Sequence, residues 1–352
     1  MNDKYKLYAR NNAFRNRTEY PLRGDIFDRN GKLLVQNVIS YDLLVTPKLA
    51  KGCDTMDLCQ ILGITKAEFI RKMRKACWAP NSPHKESVFE KQLSSKVYAA
   101  LQEKLYRFKG FDFQSRTVRK YPRPVAAHLL GYVGEVNQEK AAKDPYYIEG
   151  DYIGVSGIER YYEEELRGIK GKQIVMVDVH NKTKGRYMNG QYDTAAVQGK
   201  PLYCSIDVVL QEYGEKLMQG KKGAIVAIEP STGEILCLVS SPTYDPNLLV
   251  GGKERSRNFS RLYYDSTLPL FNRALSAMYP PGSTFKLLGA LIAQNDGLIH
   301  KSTVFPCHGG YPPMGGKPKC HPHGSVDLPV SIATSCNSYY SYVFREIVDQ
   351  KK

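Results

Sequence analysis

Tyr279-Pro280-Pro281-Gly282-Ser283-Thr284-Phe285-Lys286 runs directly into the apolar segment Leu287-Leu288-Gly289-Ala290-Leu291-Ile292-Ala293. Residues i and i+3 stack on one face of an α-helix, so the spacing predicts that Lys286 reaches the Ser283 hydroxyl. Pro281 and Gly282 suit the turn into such a helix. A serine becomes a good nucleophile when a neighbouring base takes its proton, and a lysine can do so once burial lowers its pKa. The helix N-terminus would supply N–H groups and a positive dipole to a developing oxyanion. Taken alone, S-x-x-K is a short pattern that also fits a solvated lysine, and its meaning rests on context.

That context lies downstream and upstream. Ser335-Cys336-Asn337 is an S-x-N element opening the segment Ser338-Tyr339-Tyr340, able to present a second serine and an amide to the same cleft. S-x-x-K together with S-x-N resembles the serine penicillin-binding proteins. Asn272-Arg273-Ala274 ahead of Lys286 and several N-terminal motifs extend the likeness to class B penicillin-binding proteins, in particular the elongation-type penicillin-binding protein 2 subgroup. Arg23-Gly24-Asp25-Ile26-Phe27-Asp28-Arg29-Asn30-Gly31 is similar to the first motif of that family's pedestal. Independently, its Asp28 to Gly31 reads as a turn between apolar Ile26-Phe27 and Leu33-Leu34-Val35. Tyr121-Pro122, Ala126-Ala127-His128-Leu129-Leu130-Gly131-Tyr132-Val133-Gly134, Gly154-Val155-Ser156-Gly157-Ile158-Glu159 and Tyr162 to Gly168 resemble later pedestal motifs in the same order.

The resemblance implies an α+β multi-domain chain. A β-rich pedestal or dimerisation domain is expected over 1–195, with a helical head insertion over about 41–115. The N-terminal part of a transpeptidase domain, serine β-lactamase-like and α/β, is expected over 196–352. Patterning places strands over 20 to 40, helices at Met56 to Leu62, Thr65 to Ala76 and Ser95 to Tyr106, and returning strand from Phe111 to Arg119. Gly168 to Gly199 reads as strand and turn, Val208 to Met218 as helix. Ala224 to Glu229 and Glu234 to Ser240, joined by Pro230-Ser231-Thr232-Gly233, read as a hairpin. Ser241-Pro242-Thr243-Tyr244-Asp245-Pro246-Asn247 follows, as in the family.

A length of 352 residues accommodates two domains or more, and 42% hydrophobic residues suffice for ordinary cores. The formal charge of +15 and pI near 9.3 would suit an anionic partner, but the Lys and Arg residues are dispersed and no nucleic-acid motif accompanies them. Lys4, Lys6, Arg10, Arg15 and Arg17 form a basic cluster where this family leaves the membrane. No apolar run is long enough to span a bilayer and no signal peptide is present. The resemblance implies anchoring in the bacterial inner membrane by an N-terminal helix missing from this stretch, with the catalytic domain on the periplasmic side. No K-T-G triplet occurs in the 352 residues. Since that element lines the far side of the family's cleft, the stretch by itself is expected to be inactive.

Eight cysteines are unevenly placed. Cys53, Cys59, Cys77, Cys204 and Cys237 are scattered and read as small buried apolar residues. Cys307, Cys320 and Cys336 fall between or within the two catalytic elements, beside His308, His321 and His323. Thiolate and imidazole in a set of four favour tetrahedral zinc, and some penicillin-binding protein 2 members carry zinc in this region. The expected ligands are Cys307, Cys320, His323 and Cys336, in a structural role; the open alternative is a Cys307–Cys320 disulfide with Cys336 free. No organic cofactor is expected.

The resemblance implies a D,D-transpeptidase that cross-links peptidoglycan stem peptides during wall elongation and binds β-lactam antibiotics. Ser283 would be the nucleophile, Lys286 the base, Ser335 a proton relay and Asn337 a substrate-holding amide. Its partners would be D-alanyl-D-alanine stem peptides, a glycan-polymerising membrane protein and elongation scaffold proteins. Two other readings remain: a non-catalytic interaction module, and a β-lactam sensor or β-lactamase-like protein, against which the long pedestal motifs argue.

Overall fold

The computed structural model describes residues 14–78, 81–148, 150–177, 183–252 and 254–350; Lys4, Lys6 and Arg10, and the side chain of Arg15, lie outside the described residues. The chain divides into two compact units, 1–277 and 278–352.

In the first unit the strands are β1 (Phe14–Glu19), β2 (Ile26–Phe27), β3 (Leu33–Val45), β4 (Ser87–Leu93), β5 (Phe111–Lys120), β6 (Val133–Glu135), β7 (Tyr152–Gly154), β8 (Gly171–Val177), β9 (Thr183–Arg186), β10 (Leu202–Tyr203), β11 (Gly223–Ile228) and β12 (Ile235–Ser241). The main sheet runs β10-β2-β3-β4, with β5 also paired to β3 in antiparallel register from Gln36↔Lys120 to Val45↔Phe111. A second sheet orders β1-β8-β9. The turn expected at Asp28 is present: its Oδ1 accepts from the N–H groups of Asn30 and Lys32 at 2.8 and 2.7 Å.

The head insertion carries α1 (Thr55–Leu62), α2 (Lys66–Cys77) and α3 (Ser95–Lys104), each begun by a side-chain N-cap. Asp54 caps α1, Ser94 caps α3, and Thr65 with Glu68 forms a reciprocal capping box on α2. Leu58, Leu62, Phe69, Ala76 and Leu101 close over Phe89 and Phe111 of the sheet. The helix expected over Ser95 to Tyr106 stops at Lys104 and tightens into a 3₁₀ turn, Leu105–Arg107.

Arg23, Arg119 and Glu159 are buried together. Glu159 Oε2 accepts from Arg23 Nε at 2.6 Å and its Oε1 lies 2.8 Å from Arg119 Nε; Glu163 meets the other end of the Arg23 guanidinium at 2.6 and 2.9 Å. Burial alone would raise the Glu159 pKa, and the two guanidiniums outweigh it, holding the carboxyl below its usual range. Gly154 explains a motif position: a Cβ there would stand 1.9 Å from the Glu159 carbonyl oxygen.

The helix α4 (Val208–Leu217), capped by Asp207, lays fully buried Gln211 against β12. Its Nε2 donates to Leu238 O at 3.0 Å and its Oε1 accepts from Leu238 N at 2.8 Å, satisfying a strand edge that would otherwise be open. Further along, Asn247 exchanges two 3.0 Å hydrogen bonds with the backbone of Tyr121, and Glu215 Oε1 accepts from Ala126 N at 2.7 Å. By packing, the first unit extends to Ala277, whereas the boundary read from sequence is 195/196. The α5 helix (Arg255–Tyr263) and the Asn272-capped turn Arg273–Ser276 complete this unit.

The second unit consists of a 3₁₀ turn, Gly282–Thr284, continuous with α6 (Phe285–Asn295), then β13 (Phe305–Cys307) paired antiparallel to β14 (Gly324–Val326), α7 (Leu328–Ala333) and α8 (Asn337–Asp349). Ala290 and Ala293 of α6 pack with Ile299, Val326, Leu328, Tyr339 and Val343. Among the described residues no helix is long and apolar enough to cross a membrane.

Candidate active site and cysteine cluster

Ser283 sits on the 3₁₀ turn rather than on the α-helix the spacing predicted, and the helix proper begins at Phe285. Gly282, at φ +62°, makes the entry that a residue with a Cβ adopts only under strain. The Ser283 hydroxyl is exposed and has no hydrogen-bond partner among the described residues. The Lys286 amine points elsewhere. It donates to Ser335 O at 2.5 Å, Ser335 Oγ at 3.0 Å and Asn337 Oδ1 at 2.5 Å, using all three of its donors. The pull of these three acceptors is the physical reason it leaves Ser283. Burial lowers the Lys286 pKa from its ordinary value, with Cys320 and Cys336 pulling the other way.

The second element is held from below. Ser335 lies at φ +50°, in the left-handed region that a serine adopts only when its surroundings impose it. Cys336 is the N-cap of α8, its Sγ accepting from Tyr339 N at 3.4 Å, which makes Asn337 the first helical residue. Asn337 is then fixed three ways: its N–H donates to Cys320 Sγ at 3.3 Å, its Nδ2 donates to Lys319 O at 2.8 Å, and its Oδ1 receives Lys286. The Tyr340 ring lies under the amine, 5.8 Å from Nζ to centroid. The thiol cap, the strained serine and the Lys319 carbonyl were not foreseen; no sequence pattern marks a left-handed serine or a cysteine at an N-cap.

The four residues named as a possible ligand set converge. The Sγ atoms of Cys307, Cys320 and Cys336 and a ring nitrogen of His323 all lie within 4.8 Å of one another. Cys320 Sγ is 3.8 Å from Cys336 Sγ, and His323 Nδ1 is 3.6 Å from Cys307 Sγ and 3.7 Å from Cys320 Sγ. All eight cysteines are free thiols, so the alternative Cys307–Cys320 disulfide is not formed. Register β13–β14 builds the cluster by placing Cys307 opposite Gly324, next to His323. Burial opposes ionisation of Cys307, yet hydrogen bonds from Gly309 N, Cys336 and His323 bring its pKa down to about 6; burial pushes Cys336 up to about 12. His308 and His321 contribute no ring nitrogen to the set, although His321 O accepts from Cys307 at 3.3 Å. Of the scattered cysteines, Cys59 and Cys237 are buried, and Cys53, Cys77 and Cys204 are half-buried.

Comparison with known proteins agrees with the motif order. Residues 18–204 match the penicillin-binding protein dimerisation domain and residues 223–351 the penicillin-binding protein transpeptidase domain. A peptidoglycan D,D-transpeptidase MrdA of Acinetobacter baumannii is 32% identical over 99% of this chain and 52% of its own length. The MrdA of Salmonella typhimurium is 35% identical over 81% of this chain and 46% of its own. The penicillin-binding protein 2 of Helicobacter pylori, solved in complex with MreC, superposes with a TM-score of 0.74 at 25% identity, over 93% of this chain and 62% of that one. The chain thus spans about half the length of the curated relatives it matches. It belongs to the class B penicillin-binding proteins, of the penicillin-binding protein 2 type.

Proposed function

We propose that this chain carries the nucleophile-bearing part of a peptidoglycan D,D-transpeptidase. The observation that carries the reading is the Lys286 amine bonded to both members of the S-x-N element, which makes one site of residues 49 and 51 positions apart. Ser283 Oγ attacks the carbonyl between the terminal D-alanines of a stem peptide, and its proton passes to Lys286 in the neutral form. The carbonyl oxygen takes negative charge beside the N–H groups that open α6. Ser335, in hydrogen-bond contact with Lys286, relays the proton to the departing D-alanine nitrogen as the C–N bond breaks. An amine from a neighbouring stem then attacks the acyl-enzyme, its proton returning through Lys286 to Ser283 as the cross-link forms. Asn337 positions the substrate backbone. Hydrogen bonds of this kind commonly tighten only when substrate arrives, in keeping with a Ser283 hydroxyl free of Lys286.

A structural zinc ion fits the cysteine cluster. Tetrahedral zinc with bonds of about 2.3 Å to sulfur and about 2.0–2.1 Å to nitrogen separates its ligands by about 3.8 Å (S to S) and about 3.6 Å (N to S). Three of the six ligand separations, 3.8, 3.6 and 3.7 Å, match that demand, and all four atoms lie within 4.8 Å of one another. Cys307, Cys320, His323 and Cys336 would hold the ion and fix Asn337 through the neighbouring N–H bond. When bound it supplies charge to stabilise three thiolates and takes no part in acyl transfer.

By the same reading the protein acts at the periplasmic face of the inner membrane during wall elongation. It takes β-lactams as mimics of D-alanyl-D-alanine and works beside a glycan polymerase and a scaffold, as the solved relative bound to MreC suggests. The test is acylation by a fluorescent penicillin of the protein carried to the full length of its relatives. Label on Ser283, lost in Ser283→Ala, is the expected result; an unlabelled, folded protein rejects the reading.

A further inference from the structure

The outward face of α2 is apolar and basic. Its inner face buries Phe69 and Ala76, with Met73 packed beside them. The opposite side presents Ala67, Ile70, Arg71, Arg74, Lys75 and Trp78 around a shallow notch of about 450 Å³. Trp78 is the sole tryptophan of the chain and is 70% exposed, with no aromatic or cationic partner among the described residues. Lys72, on the flank, is neutralised by Glu90 at 3.1 Å, and Arg71 has only a 3.9 Å contact with Glu68. Arg74 and Lys75 have no ion-pair partner among the described residues. An exposed indole beside uncompensated cations offers a flat stacking face and positive charge to the same ligand.

We propose that this notch holds a carboxylate-bearing glycan strand. The flat C–H face of a pyranose stacks on an indole ring, and Arg74 and Lys75 supply charge to lactyl and stem-peptide carboxylates. The choice of a cell-wall strand rests on the transpeptidase reading above. For an enzyme acting on a polymer, a second contact raises the effective concentration of the first.

Because Trp78 is unique, its fluorescence reports this surface alone. The chain is titrated with soluble uncross-linked peptidoglycan strands bearing stem peptides, with chitin oligosaccharides of equal length, with polyglutamate, and with phosphatidylglycerol vesicles. The expected result is a saturable shift of Trp78 emission with the strands, about tenfold weaker or more for chitin and polyglutamate, a gap of about 1.4 kcal/mol. Arg74→Glu with Lys75→Glu abolishes the response, whereas the charge-matched control Lys51→Glu with Lys96→Glu retains it. No shift with strands, an equal response to polyglutamate or chitin, or a response to vesicles alone overturns the proposal. Penicillin acylation followed on the full-length protein separates the two readings: strand binding without acylation rejects the transpeptidase reading only, and acylation without strand binding rejects the notch only.

Discussion

Replacing Glu159 by Gln removes one negative charge from a site where two guanidiniums depend on it. Glu159 is 0% exposed and the Arg119 side chain 2%. Arg23 keeps both bonds to Glu163, so the loss falls on Arg119, whose remaining described side-chain partner is Asn37 Oδ1 at 3.3 Å. Breaking a buried ion pair from one side costs about 3–5 kcal/mol, a large part of the 5–15 kcal/mol by which about any domain is stable. Urea unfolding followed by circular dichroism is the assay. At a slope of about 3 kcal/mol per molar, the midpoint of the first unit drops by about 1 M or more. Adding Arg119→Met to Glu159→Gln recovers part of the loss, because the stranded cation is gone, and the coupling should reach about 1–3 kcal/mol. The pH dependence has a definite sign. The folded state holds the Glu159 pKa below its unfolded value of about 4.3, so the stabilisation is complete above that value and is lost as pH falls through the folded one. Wild type and Glu159→Gln therefore converge only in acid. A loss under about 1 kcal/mol, or additive single and double variants, would refute the reasoning.

Lys286→Met in the full-length protein is expected to slow penicillin acylation by about 10²- to 10⁴-fold while leaving thermal stability nearly unchanged, read by stopped-time labelling and a melting curve. Cys320→Ser should reduce bound zinc from one equivalent to a small fraction, measured by metal analysis; equal, sub-stoichiometric zinc in both proteins rejects the site. Gln211→Leu leaves the Leu238 N–H and C=O buried without partners at about 1–3 kcal/mol each, and a urea midpoint within error of wild type would contradict the strand-edge role.

What the sequence disclosed and what it hid follow from the range of the interactions. The Asp28 turn was legible because its carboxylate acts within four residues of itself, on the N–H groups of Asn30 and Lys32. Cys307, Cys320, His323 and Cys336 stood out in the sequence as thiol and imidazole residues grouped between the S-x-x-K element and the S-x-N element, and the fold brings the four together. Hidden were pairings with no local signal. Arg119 meets Glu159 across 40 positions, and Asn247 meets Tyr121 across 126. The Ser283–Lys286 contact failed to appear for a related reason. Helical spacing says that two side chains can meet, but a lysine with four methylenes goes to the best acceptors within reach, and the S-x-N element offers three.

That preference bears on how the site is built. Asn337 belongs to two networks at once: its side-chain amide faces Lys286, and its backbone N–H faces Cys320. Cys336, one residue earlier, caps the same helix with the sulfur that completes the cysteine cluster. A helix start is positioned by its cap and by the first-turn N–H groups, which here are directed at two thiols. Any displacement of Cys320 or Cys336 therefore moves the first turn of α8, and with it Asn337 and the backbone of Ser335. Thiolates suit that place, since the N-terminal end of α8 carries partial positive charge, and an ion shared among them would tie β13, β14 and the helix to one point. Loss of the cluster should then appear first as misplacement of Asn337 relative to Lys286, before the packing of Tyr339 and Val343 beneath it is disturbed.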